Sequence, residues 1–124
     1  MSSLSNVAIK LIPASHFTID ELTAIYNQTR VDYLVPMPMN SARLVEYINS
    51  YDVNLDHSFV AAEEENLRGV AMLGVRSDRT WITRLGVIPS TRRGGVGEAL
   101  MQSLLEQSLL LGIDFTMLEV IKNN

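Results

Sequence analysis

The sequence has no cysteine. Disulfide frameworks, thiolate metal sites and cysteine nucleophiles are excluded together, and the composition fits a reducing compartment. Positive charge is also scarce. Ten Lys and Arg stand against fourteen Asp and Glu, for a formal net charge of −4, with a pI near 5.0. Nucleic-acid binders usually present a basic surface, so this balance argues against that class. No apolar run approaches the ~18 residues that a membrane-spanning helix needs. The opening "MSSLSNV" has neither the basic nor the apolar part of a secretory signal. The only two histidines, His16 and His57, have no ligand spacing between them, so no metal is expected. The expectation is a soluble cytoplasmic protein with no nucleic-acid or membrane partner.

What is present suffices for a core. Hydrophobic residues make up 47% of the 124 and charged residues 19%, which favours folding over disorder and one domain spanning 1–124. "VAIKLI", Val7 to Ile12, is β-rich and ends at Pro13, so it reads as a first strand. Asp20 or Thr18 caps a helix in which Ile19, Leu22, Ile25 and Tyr26 recur at helical spacing. Pro36 and Pro38 then impose a stiff loop on "VDYLVPMPMN", Val31 to Asn40. A second helix starts at Asn40 or Ser41, with Leu44, Tyr47, Ile48 and Tyr51 on one face.

Three strands in series follow: His57 to Glu63, Leu67 to Arg76 and Trp81 to Ile88. The turns between them are Glu63–Asn66 and Ser77–Thr80, and antiparallel pairing is the economical reading. Val96, Leu100, Leu104 and Leu105 mark the inner face of a long helix that stops at Gly112. Phe115 to Ile121 reads as a last strand, placed parallel to the preceding one by the helical crossover. The order is β-α-α-β-β-β-α-β, a mixed-sheet α/β fold.

One stretch carries chemistry. "IPSTRRGGVGEAL", Ile88 to Leu100, sets Arg92, Arg93, Gly94, Gly95 and Gly97 between a strand and a helix. Glycines let a backbone approach a ligand closely, and a helix start offers unpaired N–H groups at the positive end of a dipole, which together suit an anion such as pyrophosphate. A Walker A loop requires G-K-[ST], and no lysine is near. A dinucleotide fingerprint needs a third glycine where Leu100 stands. Arg92-x-x-Gly95-x-Gly97 instead fits R/Q-x-x-G-x-G/A, the acyl-CoA signature of the GNAT superfamily of N-acetyltransferases, which this chain resembles. "RLGVIPSTRRGGVGEALM", Arg84 to Met101, looks like that family's fourth strand, pyrophosphate loop and third helix in one piece.

The resemblance implies a GNAT acyl-CoA N-acyltransferase-like fold and acetyl-CoA as acyl donor. Pantetheine would pair with the backbone of Leu85, Gly86 and Val87, and the Val87 N–H would face the thioester carbonyl, where charge develops. Amides from Arg93, Gly94, Gly95, Val96, Gly97 and Glu98 would take the pyrophosphate, with the Arg92 side chain serving the loop. Asn124 matches the asparagine that closes the fifth strand in relatives. Glu119 is a candidate base acting through water. Asp32, Tyr33 and Met37, in the proline loop, and Arg84 are candidate contacts to the amine substrate, a small molecule or a peptide.

The family pattern continues with a helix carrying an acidic tyrosine and then two strands, and no residue here matches that tyrosine. The sequence therefore reads as C-terminally truncated relative to the family, with no general acid assigned. An uncovered last strand predicts association, as a homodimer through that edge. The alternative reading is a non-catalytic acyl-CoA-binding or assembly module.

Overall fold

A computed structural model describes residues 8–32, 38–91 and 94–118. The elements in order are β1 (Ile9–Pro13), α1 (Ile19–Gln28), α2 (Ser41–Ser50), β2 (Phe59–Glu63), β3 (Asn66–Val75), β4 (Thr80–Val87), α3 (Val96–Leu110) and β5 (Thr116–Leu118). The five strands form one sheet in sequence order. Pairings from β1 to β4 are antiparallel and β4 pairs β5 in parallel, as the helical crossover requires.

Short signals start the helices. Thr18, not Asp20, caps α1: its Oγ1 accepts the Glu21 N–H at 3.0 Å, while Glu21 Oε1 accepts the Thr18 N–H at 2.8 Å. Asp20 sits in the first turn, where it suits the helix dipole and accepts the Ser41 hydroxyl of α2. Asn40 caps α2 by accepting the Arg43 N–H at 2.8 Å. The segment leading into α2 is held by Asn27, whose amide exchanges two 2.8 Å bonds with the Met39 backbone. The strand expected from His57 starts at Phe59, because Leu55–His57 close a 3₁₀ turn.

The sheet buries both faces. On one, Leu22, Ile25, Tyr26, Leu44 and Tyr47 from α1 and α2 cover Val60, Val70 and Met72. On the other, Val96, Leu100 and Leu104 of α3 cover Ala61, Ala71, Leu73 and Ile82. Gly69 permits that approach: a Cβ there would lie 2.7 Å from the Gly86 carbonyl oxygen and 3.1 Å from Leu100 Cδ1. Two expected core positions are corrected. Leu105 is 41% exposed and Tyr51 47%. The buried stripe of α3 runs through Ser103 and Ser108, which bond back to the Leu100 and Leu104 carbonyls, so Leu105 turns outward. Tyr51 lies just past the end of α2 and stacks on Tyr47, with centroids 4.5 Å apart.

Candidate active site

Strand β4 is interrupted where the site begins. Met72 stands opposite Thr83 and Val70 opposite Gly86, so Ala71 faces two β4 residues, Arg84 and Leu85. This is a β-bulge, and Arg84 takes the left-handed conformation with φ 54°. A non-glycine residue there costs about 1–3 kcal/mol and is retained where the surroundings over-determine it. The bulge puts two consecutive side chains on one face. Thr83 hydrogen-bonds Tyr47 Oη. The Arg84 guanidinium stands 4.1 Å from the Tyr47 ring centroid and 5.6 Å from that of Tyr26, and donates to Tyr26 Oη at 3.1 Å. Alternation then resumes: Leu85 and Val87 pack toward α3 and Gly86 toward α1.

The described pairing of β4 with β5 covers Thr80↔Thr116, Trp81↔Met117 and Ile82↔Leu118. β4 itself runs on past the bulge through Leu85, Gly86 and Val87. The Ile88 N–H donates to the Arg68 carbonyl at 2.8 Å. In an antiparallel ladder the neighbouring N–H points the opposite way, so that of Val87 faces the β5 side. A short 3₁₀ turn, Pro89–Thr91, carries the chain toward α3.

Helix α3 begins without a side-chain cap. Gly95 is its N-cap, with φ 85°, and its first intrahelical bond runs from the Ala99 N–H to the Gly95 carbonyl at 3.0 Å. The N–H groups of Val96, Gly97 and Glu98 precede that bond and point out of the helix start. Gly94, Gly95 and Glu98 are exposed and Val96 is buried. Among the described residues, a Cβ on Gly97 would meet Val87 Cγ2 at 3.5 Å, so the loop's third glycine lies directly against the end of β4. The site's two halves, Leu85 to Val87 and Gly94 to Glu98, are thus adjacent. Helix-start amides, a left-handed glycine and the open space that the described residues leave at Gly95 fit a pyrophosphate-bearing group.

On the α1/α2 face, a cleft of about 280 Å³ is lined by Met39, Arg43, Glu46, Tyr47, Tyr51 and Arg84, among others. A second cleft of about 390 Å³ continues from Tyr51 along β4 to Arg76, Arg79, Trp81 and Met117. Arg76 covers the Trp81 ring at 4.8 Å and pairs with Asp52 at 2.8 Å. Arg79 pairs with Asp78, and that hydrogen bond holds the Asp78 carboxyl below its usual range. Trp81 lies flat across Gly74, where a Cβ would stand 2.1 Å from the ring.

Asp32 is exposed in the turn after α1, whose last residues reach β4 through Thr29. Tyr33, Met37, Arg92, Arg93, Glu119 and Asn124 lie outside the described residues. Tyr26, Tyr47 and Thr83 were not anticipated as site residues. The spacing of Ile82, Leu85 and Val87, three and then two, carries the signal of the bulge that collects them. His16 and His57 sit in separate 3₁₀ turns, and His57 Nδ1 is 2.6 Å from Gln107 Oε1. Among the described residues, no group of His, Asp or Glu is placed to hold a metal ion, and no helix is long and apolar enough to cross a membrane.

The model of the acetyltransferase (GNAT) family matches residues 20–124. The chain belongs to this family and is an N-acetyltransferase by class, with acyl-CoA use characteristic of the family. Its fold is similar to that of the ribosomal-protein-S18-alanine N-acetyltransferase of Escherichia coli. That pair is 19% identical with a TM-score of 0.71, over 94% of this chain and 70% of that one. Glucosamine-6-phosphate N-acetyltransferase from Arabidopsis thaliana is 15% identical with a TM-score of 0.63, over 92% and 83%. For yncA of Salmonella typhimurium, solved with its cofactor acetyl-CoA, the values are 17% and 0.62, over 86% and 66%. No curated protein matches the chain in sequence.

Proposed function

We propose that this protein transfers the acetyl group of acetyl-CoA to a primary amine by direct attack within a ternary complex. The observation that carries the reading is the adjacency of the bulged end of β4 to the uncapped start of α3. Bound acetyl-CoA supplies an activated acyl group, which a neutral amine attacks readily once the two are held together. The chain's part is to hold and polarise. Backbone amides from Gly94 to Glu98 take the diphosphate, with Arg92 and Arg93 assigned to the same loop. The backbone of Leu85 and Gly86 aligns the donor along β4. The Val87 N–H faces the carbonyl oxygen on which negative charge grows. In this reading Glu119 takes the amine proton through water, coenzyme A leaves as its thiolate, and Asn124 is a contact to the donor. The acceptor enters from the α1/α2 face, past Arg84 and the segment carrying Asp32, Tyr33 and Met37.

Incubating the protein with acetyl-CoA and a panel of amines, with products read by mass spectrometry, tests the proposal. Acetylated amine formed in proportion to enzyme is the expected result. Acetyl-CoA binding without transfer to any amine would leave only the non-catalytic module.

Association along β5 belongs to the same proposal, because Phe115, Met117 and Leu118 are 54%, 47% and 50% exposed. Sedimentation over rising concentration should show a dimer, and a monomer throughout would remove this part.

A further inference from the structure

Helix α3 carries leucine on both of its faces. Its buried stripe, Val96, Leu100, Ser103, Leu104 and Ser108, packs on the sheet, and the opposite face of such a helix is ordinarily polar. Near the N-terminus it is polar: Glu98 and Gln102 are exposed there. Leu105 and Leu109, four residues apart, then take over that face, and Leu110 and Leu111 widen it. Leu109 is 66% exposed and Leu110 78%. A solvent-facing leucine patch on a helix already anchored by its other side marks a contact surface.

The charge around the patch has one sign. From Gly94 to Leu118 the sequence holds Glu98, Glu106 and Asp114 but no Lys, Arg or His. Glu106 and Asp114 are exposed and have no ion pair among the described residues. The last turn of α3 has no basic residue, so nothing on the helix opposes the negative end of its dipole. Arg79, one residue before the Thr80 N–H that bonds the Phe115 carbonyl, is taken by Asp78. An apolar ridge bordered by negative charge complements a partner that is apolar and positive. An anionic membrane surface would be repelled. A second copy pairing antiparallel through Leu105 and Leu109 would set the two Glu106 residues about 3 Å apart along the axis, on the same flank. A parallel pair would set two negative helix ends side by side.

We infer that the Leu105, Leu109 and Leu110 face of α3 is a docking surface for a basic amphipathic helix of another protein. The partner's apolar stripe lies on the leucines, and its Lys or Arg side chains meet Glu106, Asp114 and the end of α3. The inference goes beyond acetyl transfer and does not depend on it, since α3 lies across the sheet from α1 and α2.

The probe is a synthetic amidated peptide with leucines at helical spacing and lysines on both flanks. One control replaces the lysines by glutamates, and the other keeps the composition and scrambles the spacing. Binding to the full chain is followed by calorimetry and NMR shifts. The expected result is saturable binding of the lysine peptide, about tenfold tighter than either control and weakened by salt, with shifts gathered on Leu105 to Leu111. Leu105→Gln with Leu109→Gln should weaken binding about tenfold and leave the melting temperature unchanged, because both side chains face solvent. Glu106→Gln with Asp114→Asn should bring the lysine peptide toward the glutamate control with the leucines still in place.

No saturable binding, equal binding of the lysine peptide and either control, or unchanged affinity in the double leucine variant overturns the inference. So does a dimer in sedimentation that the leucine variant makes monomeric, which would assign the ridge to a second copy. Binding to phosphatidylserine vesicles that is lost in the same variant would assign it to a membrane and overturn the inference too.

Discussion

A Cβ added to Gly86 would stand 2.3 Å from Oγ1 of Thr29, so the end of α1 rests directly on the backbone of β4. Thr29 is itself fixed, buried and donating to the Tyr26 carbonyl at 2.6 Å. Gly86→Ala must push the two elements apart. The expected cost is about 1–3 kcal/mol in denaturant unfolding, the range for overpacking a filled contact. Because Gly86 lies in the proposed donor-binding stretch, acetyl-CoA affinity should fall with it. Unchanged stability would mean that α1 is free to shift.

Gly95 and Gly97 should respond differently to the same change. No described residue lies within 4 Å of a Cβ at Gly95, but φ is 85°, so Gly95→Ala is strained by its backbone and should lose about 1 kcal/mol. Gly97 has ordinary helical geometry and, among the described residues, a single neighbour at 3.5 Å. Gly97→Ala should leave stability equal or raised by up to about 1 kcal/mol and keep acetyl-CoA binding, since the loop pattern admits Gly or Ala there. Thermal melts with and without acetyl-CoA separate the two.

The hydrogen bond between the Tyr47 and Thr83 hydroxyls ties α2 to β4 just before the bulge, and both residues are buried. Tyr47→Phe should cost about 1 kcal/mol, and the double variant with Thr83→Val less than the sum of the single changes. A double-mutant cycle by denaturant unfolding measures the coupling. Strict additivity would show that the bond contributes nothing.

Thr18→Ala removes half of the capping box that starts α1 and should cost about 1 kcal/mol. The cap lies at the opposite end of α1 from the Thr29 contact, so acetyl-CoA affinity should not change in the folded protein. Calorimetric titration of this variant checks that fold stability and donor binding are separable.

Much of this was legible from local pattern. The glycine loop, the three antiparallel strands and the parallel last strand follow from turn residues and periodicity, which need no tertiary information. The bulge at Arg84 was not read, although the change from alternation to a three-residue step between Ile82 and Leu85 marks it. Arg84 was singled out in the sequence as a candidate substrate contact, but the tyrosines it packs against were not read there. Tyr26 lies 58 residues away in sequence, and helical periodicity reports only that its side chain is turned inward. The inner face of α3 was misjudged at Leu105 for a similar reason: Ser103 and Ser108 look polar but satisfy their hydroxyls on the helix's own carbonyls, and Ser108 also meets Thr80 at 2.7 Å. Hydrophobicity alone ranks leucine above serine at such positions.

Titration of the protein with acetyl-CoA in a calorimeter tests most directly whether the end of β4 and the start of α3 form a donor site. The account predicts saturable binding of one acetyl-CoA per chain, weakened in Gly95→Ala and Gly86→Ala and retained in Thr18→Ala and Gly97→Ala. Absence of saturable heat at millimolar acetyl-CoA, with the protein folded, would contradict it.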